Sequence, residues 1–120
     1  IEIIEFAAQK KIKVILIKQA YLFDNQVMQE LEKFTVDELI KFYKQDYFLK
    51  KFNLNETVNF WSILGTILNK KIDELKIYNN VIVIDPRKIL TSSEENFTDY
   101  LHLTPKGNGV LAFEVSKKIN

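Results

Sequence analysis

The chain has 120 residues, of which 47% are hydrophobic, with 17 Lys and Arg against 16 Asp and Glu. This composition is that of an ordinary globular domain and excludes disordered, collagen-like and low-complexity chains. Arg87 is the only arginine and there is no cysteine, which disfavours dedicated nucleic-acid binding and excludes disulfides, thiolate metal sites and a cysteine nucleophile.

The first predicted elements are a short helix and a strand. Ile4, Ala7 and Ala8 lie at helical spacing, and two lysines follow them where a helix would end. Val14–Ile17 is an unbroken apolar run, which is typical of a parallel strand covered on both faces. The chain has no initiator Met and opens directly into the helical pattern, so we expect it to start partway through a gene product. No apolar run reaches the length of a membrane span, and no cationic head of a signal peptide is present.

Two helices are predicted in the middle of the chain. The first is short and is marked by Val36, Leu39, Ile40, Tyr43 and Tyr47. The second runs from about Asn55 to Ile77, with Asn53 or Asn55 as its cap. Its apolar residues recur at steps of three and four: Val58, Trp61, Leu64, Leu68, Ile72 and Leu75.

A segment at about 20–52 makes the connection between the strands longer than a minimal crossover, and we expect it to be an insertion. Its aromatic residues, in Tyr21–Phe23 and Phe42–Phe52, suit either a lid or acyl-binding wall or, by preference, the insertion's own core.

The second strand is predicted at Val81–Ile84, which repeats the unbroken apolar pattern. Asp85 follows it in a turn, where its carboxylate is expected to bond local backbone. A last helix begins after Thr104 as cap with Pro105 in the first helical position. The order of helices and strands predicts an α/β fold, and two strands buried on both faces need further neighbours in the sheet.

One group of residues in the sequence is a candidate catalytic site. His102 is the only histidine, and it lies in the loop between a predicted buried strand and the last helix, where α/β sheets place ligand and catalytic groups. Asp99 precedes it by three residues, so one turn can bring the carboxylate to the imidazole Nδ1. That contact would leave Nε2 as a general base. A capping or hydrogen-bonding pair with no catalytic role is the alternative.

The segment from Phe97 to Asn108, with Asp99-Tyr100-Leu101-His102-Leu103-Thr104-Pro105 at its centre, resembles the last signature block of the SGNH (GDSL-type) hydrolase family. That block has the form D-x-x-H-L-T-P-x-G-N and ends in a helix. The resemblance implies a flavodoxin-like three-layer α/β/α sandwich with a parallel sheet. It makes Asp99 the acid and His102 the base of a Ser-His-Asp triad that hydrolyses esters without a cofactor.

The family's G-D-S and G-x-N-D motifs do not occur in this chain. Ser62 and Ser116 are predicted in helices and Ser92 and Ser93 in a loop, so none of them is expected to be the nucleophile. We therefore expect residues 1–120 to be the C-terminal portion of a single SGNH domain. The N-terminal half of that domain would supply the serine and the oxyanion hole, and the 120-residue piece alone is expected to be inactive.

The substrate class stays open between small acyl esters, lipids and acetylated glycans, because the loops that select it cannot be predicted. The alternative from another class is a non-catalytic SGNH-like module that keeps this loop for structure and binds a carbohydrate or a cell-surface partner. A metal site has no support, since one His and scattered carboxylates do not form a ligand set.

Overall fold

The computed structural model of the chain describes residues 1–19, 25–90, 95–99 and 102–119. The helices and strands are α1 (Glu2–Gln9), β1 (Val14–Ile17), α2 (Asn25–Glu32), α3 (Val36–Lys44), α4 (Tyr47–Lys51), α5 (Glu56–Glu74), β2 (Val81–Ile84) and α6 (Pro105–Ile119). Short 3-10 helices cover Leu75–Ile77 and Pro86–Lys88. The chain divides into two compact units, Ile1–Leu22 with Lys71–Asn120, and Phe23–Lys70.

The first unit contains the sheet, in which β1 and β2 pair in parallel. Val14 lies opposite Val81 and Ile17 opposite Ile84, so both predicted strands, their parallel direction and the mixed α/β character are confirmed. Their burial is less than the sequence predicts. Ile84 alone of the eight strand residues is buried, and Ile17 is exposed, because no third strand pairs with either of them in the described part of the chain.

Asn80 fixes the beginning of the sheet. Its carbonyl accepts the Val14 amide proton at 2.7 Å, and its side-chain Nδ2 donates to the carbonyls of Ile4 at 3.0 Å and Ile12 at 3.3 Å. Helix α1, which buries Ile4 and Ala7, is thereby tied to the strand that follows it. At the other end of the sheet the amide of Lys18 donates to the Ile84 carbonyl at 2.9 Å. The pairing thus continues one residue past β1.

The second unit is helical. The helix predicted around Val36 ends at Lys44, because Asp46 adopts a left-handed backbone with φ of 54° and starts α4 instead. Helix α3 begins with a capping box, in which Thr35 and Glu38 bond each other's backbone amides at 3.1 and 3.0 Å. Helix α2 was not predicted, since its apolar pattern is only one turn long.

Aromatic rings pack around one buried residue of this second unit. The ring of Phe48, which is almost fully buried, contacts Phe34, Phe42, Tyr47 and Phe52 with centroids 5.0 to 6.3 Å apart. The aromatic residues at 42–52 therefore pack around Phe48, although Tyr43 and Tyr47 are exposed. Tyr21–Phe23, the other aromatic group considered there, lies outside the described residues.

The long helix α5 begins where the sequence predicts, with Asn55 Oδ1 accepting the Val58 amide proton at 2.8 Å. Its buried residues, however, are not those of the apolar stripe. They are mostly small or polar: Asn59, Ser62, Ile63, Gly65, Thr66 and Asn69. Ser62 and Thr66 can be buried because their hydroxyls donate to carbonyls four residues earlier in the helix, at 2.6 and 2.8 Å. No helix in the described ranges has the length and apolarity needed to cross a membrane.

Candidate functional site

The loop that carries Asp99 and His102 is closed by backbone pairing. The Thr98 amide donates to the His102 carbonyl at 2.8 Å, and the Thr104 amide donates to the Asn96 carbonyl at 2.8 Å. Phe97 and Leu103 form an antiparallel bridge between these two bonds. They also belong to an apolar cluster completed by Leu90 and Val110. This pairing therefore anchors the base of the loop, next to Asp99 and His102.

Asp99 binds His102 through both of its carboxylate oxygens. Oδ1 and Oδ2 lie 2.9 and 2.8 Å from the imidazole Nδ1, and Oδ1 also accepts the His102 backbone amide proton at 2.8 Å. A carboxylate accepts and does not donate, so the neutral ring carries its proton on Nδ1. Nε2 is then the nitrogen with a lone pair, as a general base requires.

The pair lies at the surface. The side chains of His102 and Asp99 are 76% and 55% exposed, so another polypeptide segment or a substrate can reach the imidazole. The contact predicted from the three-residue spacing is therefore present. Tyr100 and Leu101, between the two residues, lie outside the described residues.

Helix α6 starts directly after the loop, as predicted. Thr104 Oγ1 accepts the Gly107 amide proton at 3.1 Å, and the Thr104 carbonyl accepts that of Asn108 at 2.9 Å. Thr104 thus caps the helix, and Pro105 occupies the first helical position, where no amide proton is needed. The same hydroxyl donates to the Glu95 carbonyl at 2.5 Å. The cap therefore joins the helix to the strand of the loop that precedes Asp99.

A second group of charged residues lies where β1 and β2 end. Lys18 Nζ lies 2.7 Å from Asp73 Oδ2 and 3.9 Å from Asp85 Oδ2. Arg87 binds both oxygens of Asp85, at 3.0 and 2.9 Å. Asp85 Oδ1 also accepts the Arg87 amide proton at 3.0 Å, as expected for a turn residue. Each of these carboxylates is paired with a cation, so the group joins structural elements.

Sequence reasoning missed Lys18, Asp73 and Arg87. The available signal was the position of Lys18 directly after a buried strand, because a cation there needs a carboxylate partner. Burial raises the pKa of Asp85, but the hydrogen bonds and charge of Arg87 outweigh it and hold that pKa below its ordinary value. Asp73 shows the same balance, with Lys18 and Lys76 lowering its pKa against burial.

The described serines have partners within their own helices. Ser62 Oγ is fully buried and donates to the Val58 carbonyl at 2.6 Å. Ser116 Oγ donates to the Phe113 carbonyl at 2.6 Å. Each of these hydroxyls is thus engaged within its own helix. Ser92 and Ser93 lie outside the described residues.

Among residues 1–19, 25–90, 95–99 and 102–119, no three His, Asp or Glu side chains come together as a metal-ligand set. The candidate site is therefore the Asp99–His102 pair and the loop that holds it. No family model matches the chain, and neither a curated protein nor a solved structure matches it.

Proposed function

We propose that the chain is the C-terminal portion of a serine esterase or acylhydrolase of the SGNH type, in which Asp99 and His102 are two members of the catalytic triad. The observation that supports this most directly is the contact of both Asp99 oxygens with Nδ1 of an exposed His102. The loop lies between a strand and the helix that follows it, the position at which α/β sheets place their reactive groups.

In this proposal Nε2 of His102 takes the proton of a serine hydroxyl as the serine oxygen attacks an ester carbonyl. Asp99 keeps the proton on Nδ1 and stabilises the imidazolium. His102 then gives the proton from Nε2 to the departing alcohol, which leaves an acyl-serine. Water attacks that acyl group, His102 accepts one of its protons, and the acid is released as the serine regains its hydrogen.

The serine and the oxyanion donors belong, in this proposal, to the N-terminal half of the same domain. The support is the incomplete covering of β1 and β2, since a sheet of two strands is marginally stable by itself. Further parallel strands beside them would complete a flavodoxin-like three-layer sandwich. Without the serine, residues 1–120 alone have no measurable esterase activity. The substrate is an ester of a small acyl group, a lipid or an acetylated glycan.

The test is intact-mass spectrometry of the longest natural polypeptide that contains these residues, before and after a serine-directed fluorophosphonate probe. One adduct on a serine upstream of Ile1 supports the proposal. The adduct should form far more slowly in His102→Ala, because the hydroxyl then lacks its base. Ser116→Ala is the matched control and should label like the wild type.

A polypeptide that folds, forms no adduct and cleaves none of the three ester types would overturn the hydrolase proposal. The non-catalytic binding module would then be the better explanation. One observation favours that second candidate: Asp99 Oδ1 accepts the His102 backbone amide proton, a bond that stabilises the loop whether or not the imidazole takes part in a reaction.

A further inference from the structure

We infer that Gly107 and Thr104 are positioning residues that hold Asp99 and His102 in register by locking their loop against the first turn of α6. The effect on the loop follows from the geometry alone. Its consequence for ester hydrolysis rests on the proposed function. Both residues act through the backbone at residues 95 and 96.

Gly107 lies where the helix backbone comes close to the loop. It is buried, and a Cβ added to it would overlap the carbonyl oxygen of Asn96 and lie 3.2 Å from the carbonyl carbon and the Cα of that residue. These are backbone atoms, which cannot rotate away as the end of a side chain can. Any larger residue at position 107 must therefore push Asn96 and α6 apart.

Asn96 transmits such a shift to the catalytic pair. Its carbonyl accepts the Thr104 amide proton at 2.8 Å, which is the first rung of the loop's pairing. The next rungs are the bridge between Phe97 and Leu103 and the bond from the Thr98 amide to the His102 carbonyl. Asp99 follows Thr98 directly. A displacement at Asn96 thus moves one strand of the loop against the other, and Asp99 against His102.

Thr104 makes the second connection. Its hydroxyl donates to the Glu95 carbonyl at 2.5 Å and accepts the Gly107 amide proton at 3.1 Å, so one oxygen joins the loop to the helix. Gly109, two residues farther along the same helix, has nothing within 4 Å of an added Cβ. It provides a control with the same change of residue and none of the steric overlap.

The experiment reads the imidazole tautomer of His102 by ¹⁵N NMR in the longest natural polypeptide, at a pH where the ring is neutral. Its signals are assigned by their loss in His102→Gln. We expect the Nδ1–H tautomer in the wild type, because Asp99 accepts that proton. Gly107→Ala and Thr104→Val should move the ring toward the Nε2–H form, whereas Gly109→Ala and Thr104→Ser should keep the wild-type tautomer.

The kinetic readout accompanies the spectra. Gly107→Ala should lower kcat by about 100-fold with little change in KM, since a small misplacement of reacting groups costs about that much. Unchanged spectra in both Gly107→Ala and Thr104→Val, or equal effects of Gly107→Ala and Gly109→Ala, would overturn the inference. If circular dichroism shows that Gly107→Ala does not fold, the inference is tested with Thr104→Val and Thr104→Ser alone. A changed tautomer in Thr104→Val and the wild-type tautomer in Thr104→Ser would support it.

The two proposals fail separately. A tautomer that depends on Gly107 in a polypeptide that no fluorophosphonate labels supports the positioning role and contradicts the hydrolase. If a serine is labelled but the His102 tautomer is the same in Gly107→Ala and Thr104→Val as in the wild type, the hydrolase is supported and the positioning role is contradicted.

Discussion

Lys18 Nζ and Asp73 Oδ2 lie 2.7 Å apart and join the residue after β1 to the last turn of α5. The two partners differ in exposure, since the Lys18 side chain is 7% exposed and that of Asp73 is 42% exposed. A buried ammonium loses hydration, and the Asp73 carboxylate offsets part of that loss. The ion pair therefore compensates for the burial of Lys18 at the end of the sheet.

Lys18→Met should destabilise the protein by about 2 kcal/mol, because Asp85, itself mostly buried, loses a neighbouring cation and Asp73 loses its closest partner. Lys76→Met is the matched control. Lys76 lies 2.8 Å from the other oxygen of Asp73 but is exposed, so its loss should cost less than about 0.5 kcal/mol. Urea unfolding measures both, and equal losses would contradict a special role for Lys18.

Stability should also fall in acid through Asp85. Its pKa in the folded protein is held below the ordinary value of 3.8, so the unfolded chain takes up the proton first as the pH decreases. The stabilisation is complete above that value and is lost as the pH falls through the folded-state pKa. Asp85→Asn should be about 2 kcal/mol less stable than the wild type near neutral pH. The difference in unfolding free energy between the wild type and Asp85→Asn should shrink as the pH is lowered through the acid range. A difference that stays constant would show that the Asp85 carboxylate does not cause the acid dependence.

Local relationships were predictable from the sequence. The spacing of Asp99 and His102 and the cap from Asn55 to Val58 each join residues three positions apart. A single turn therefore determines whether they meet. The strands were equally clear, because unbroken apolar runs rich in β-branched residues occur twice and pair with each other residue for residue.

Long-range and packing features were not predictable in the same way. Lys18 and Asp73 are 55 positions apart, and no local sequence pattern at either residue indicates that the two pair. In α5 the apolar period marked the helix correctly but not its buried face. The hydroxyls of Ser62 and Thr66 are hydrogen bonded within the helix, so both residues can be buried. The buried face of α5 therefore cannot be predicted from hydrophobicity alone.

The core of the second unit offers a test with adjacent residues. Leu39 of α3 is fully buried, whereas Ile40, the next residue in the same helix, is exposed. Leu39→Ala should cost about 2–5 kcal/mol, because it removes buried methyl groups and leaves a cavity. Ile40→Ala should cost less than about 1 kcal/mol, since an exposed side chain loses little burial. Denaturant unfolding followed by the helical signal measures both, and similar losses would place the core on another face of α3.

Asp99→Asn separates the two roles of the Asp99 carboxylate. The Asn oxygen can still accept the His102 backbone amide proton, so the loop should keep its form and the unfolding free energy should change little. The amide N–H₂ facing the ring, however, favours a neutral imidazole with its proton on Nε2, which cannot accept a hydroxyl proton. If the proposed hydrolase function holds, kcat for an ester, measured with the longest natural polypeptide, should fall by up to about 10⁴-fold with KM nearly unchanged. Glu95→Gln alters another exposed acid at the base of the same loop, one that pairs with Lys106 at 2.9 Å, and should change kcat less than about twofold. Full activity in Asp99→Asn would mean that Asp99 stabilises the loop through the His102 backbone amide and does not determine the tautomer of the imidazole.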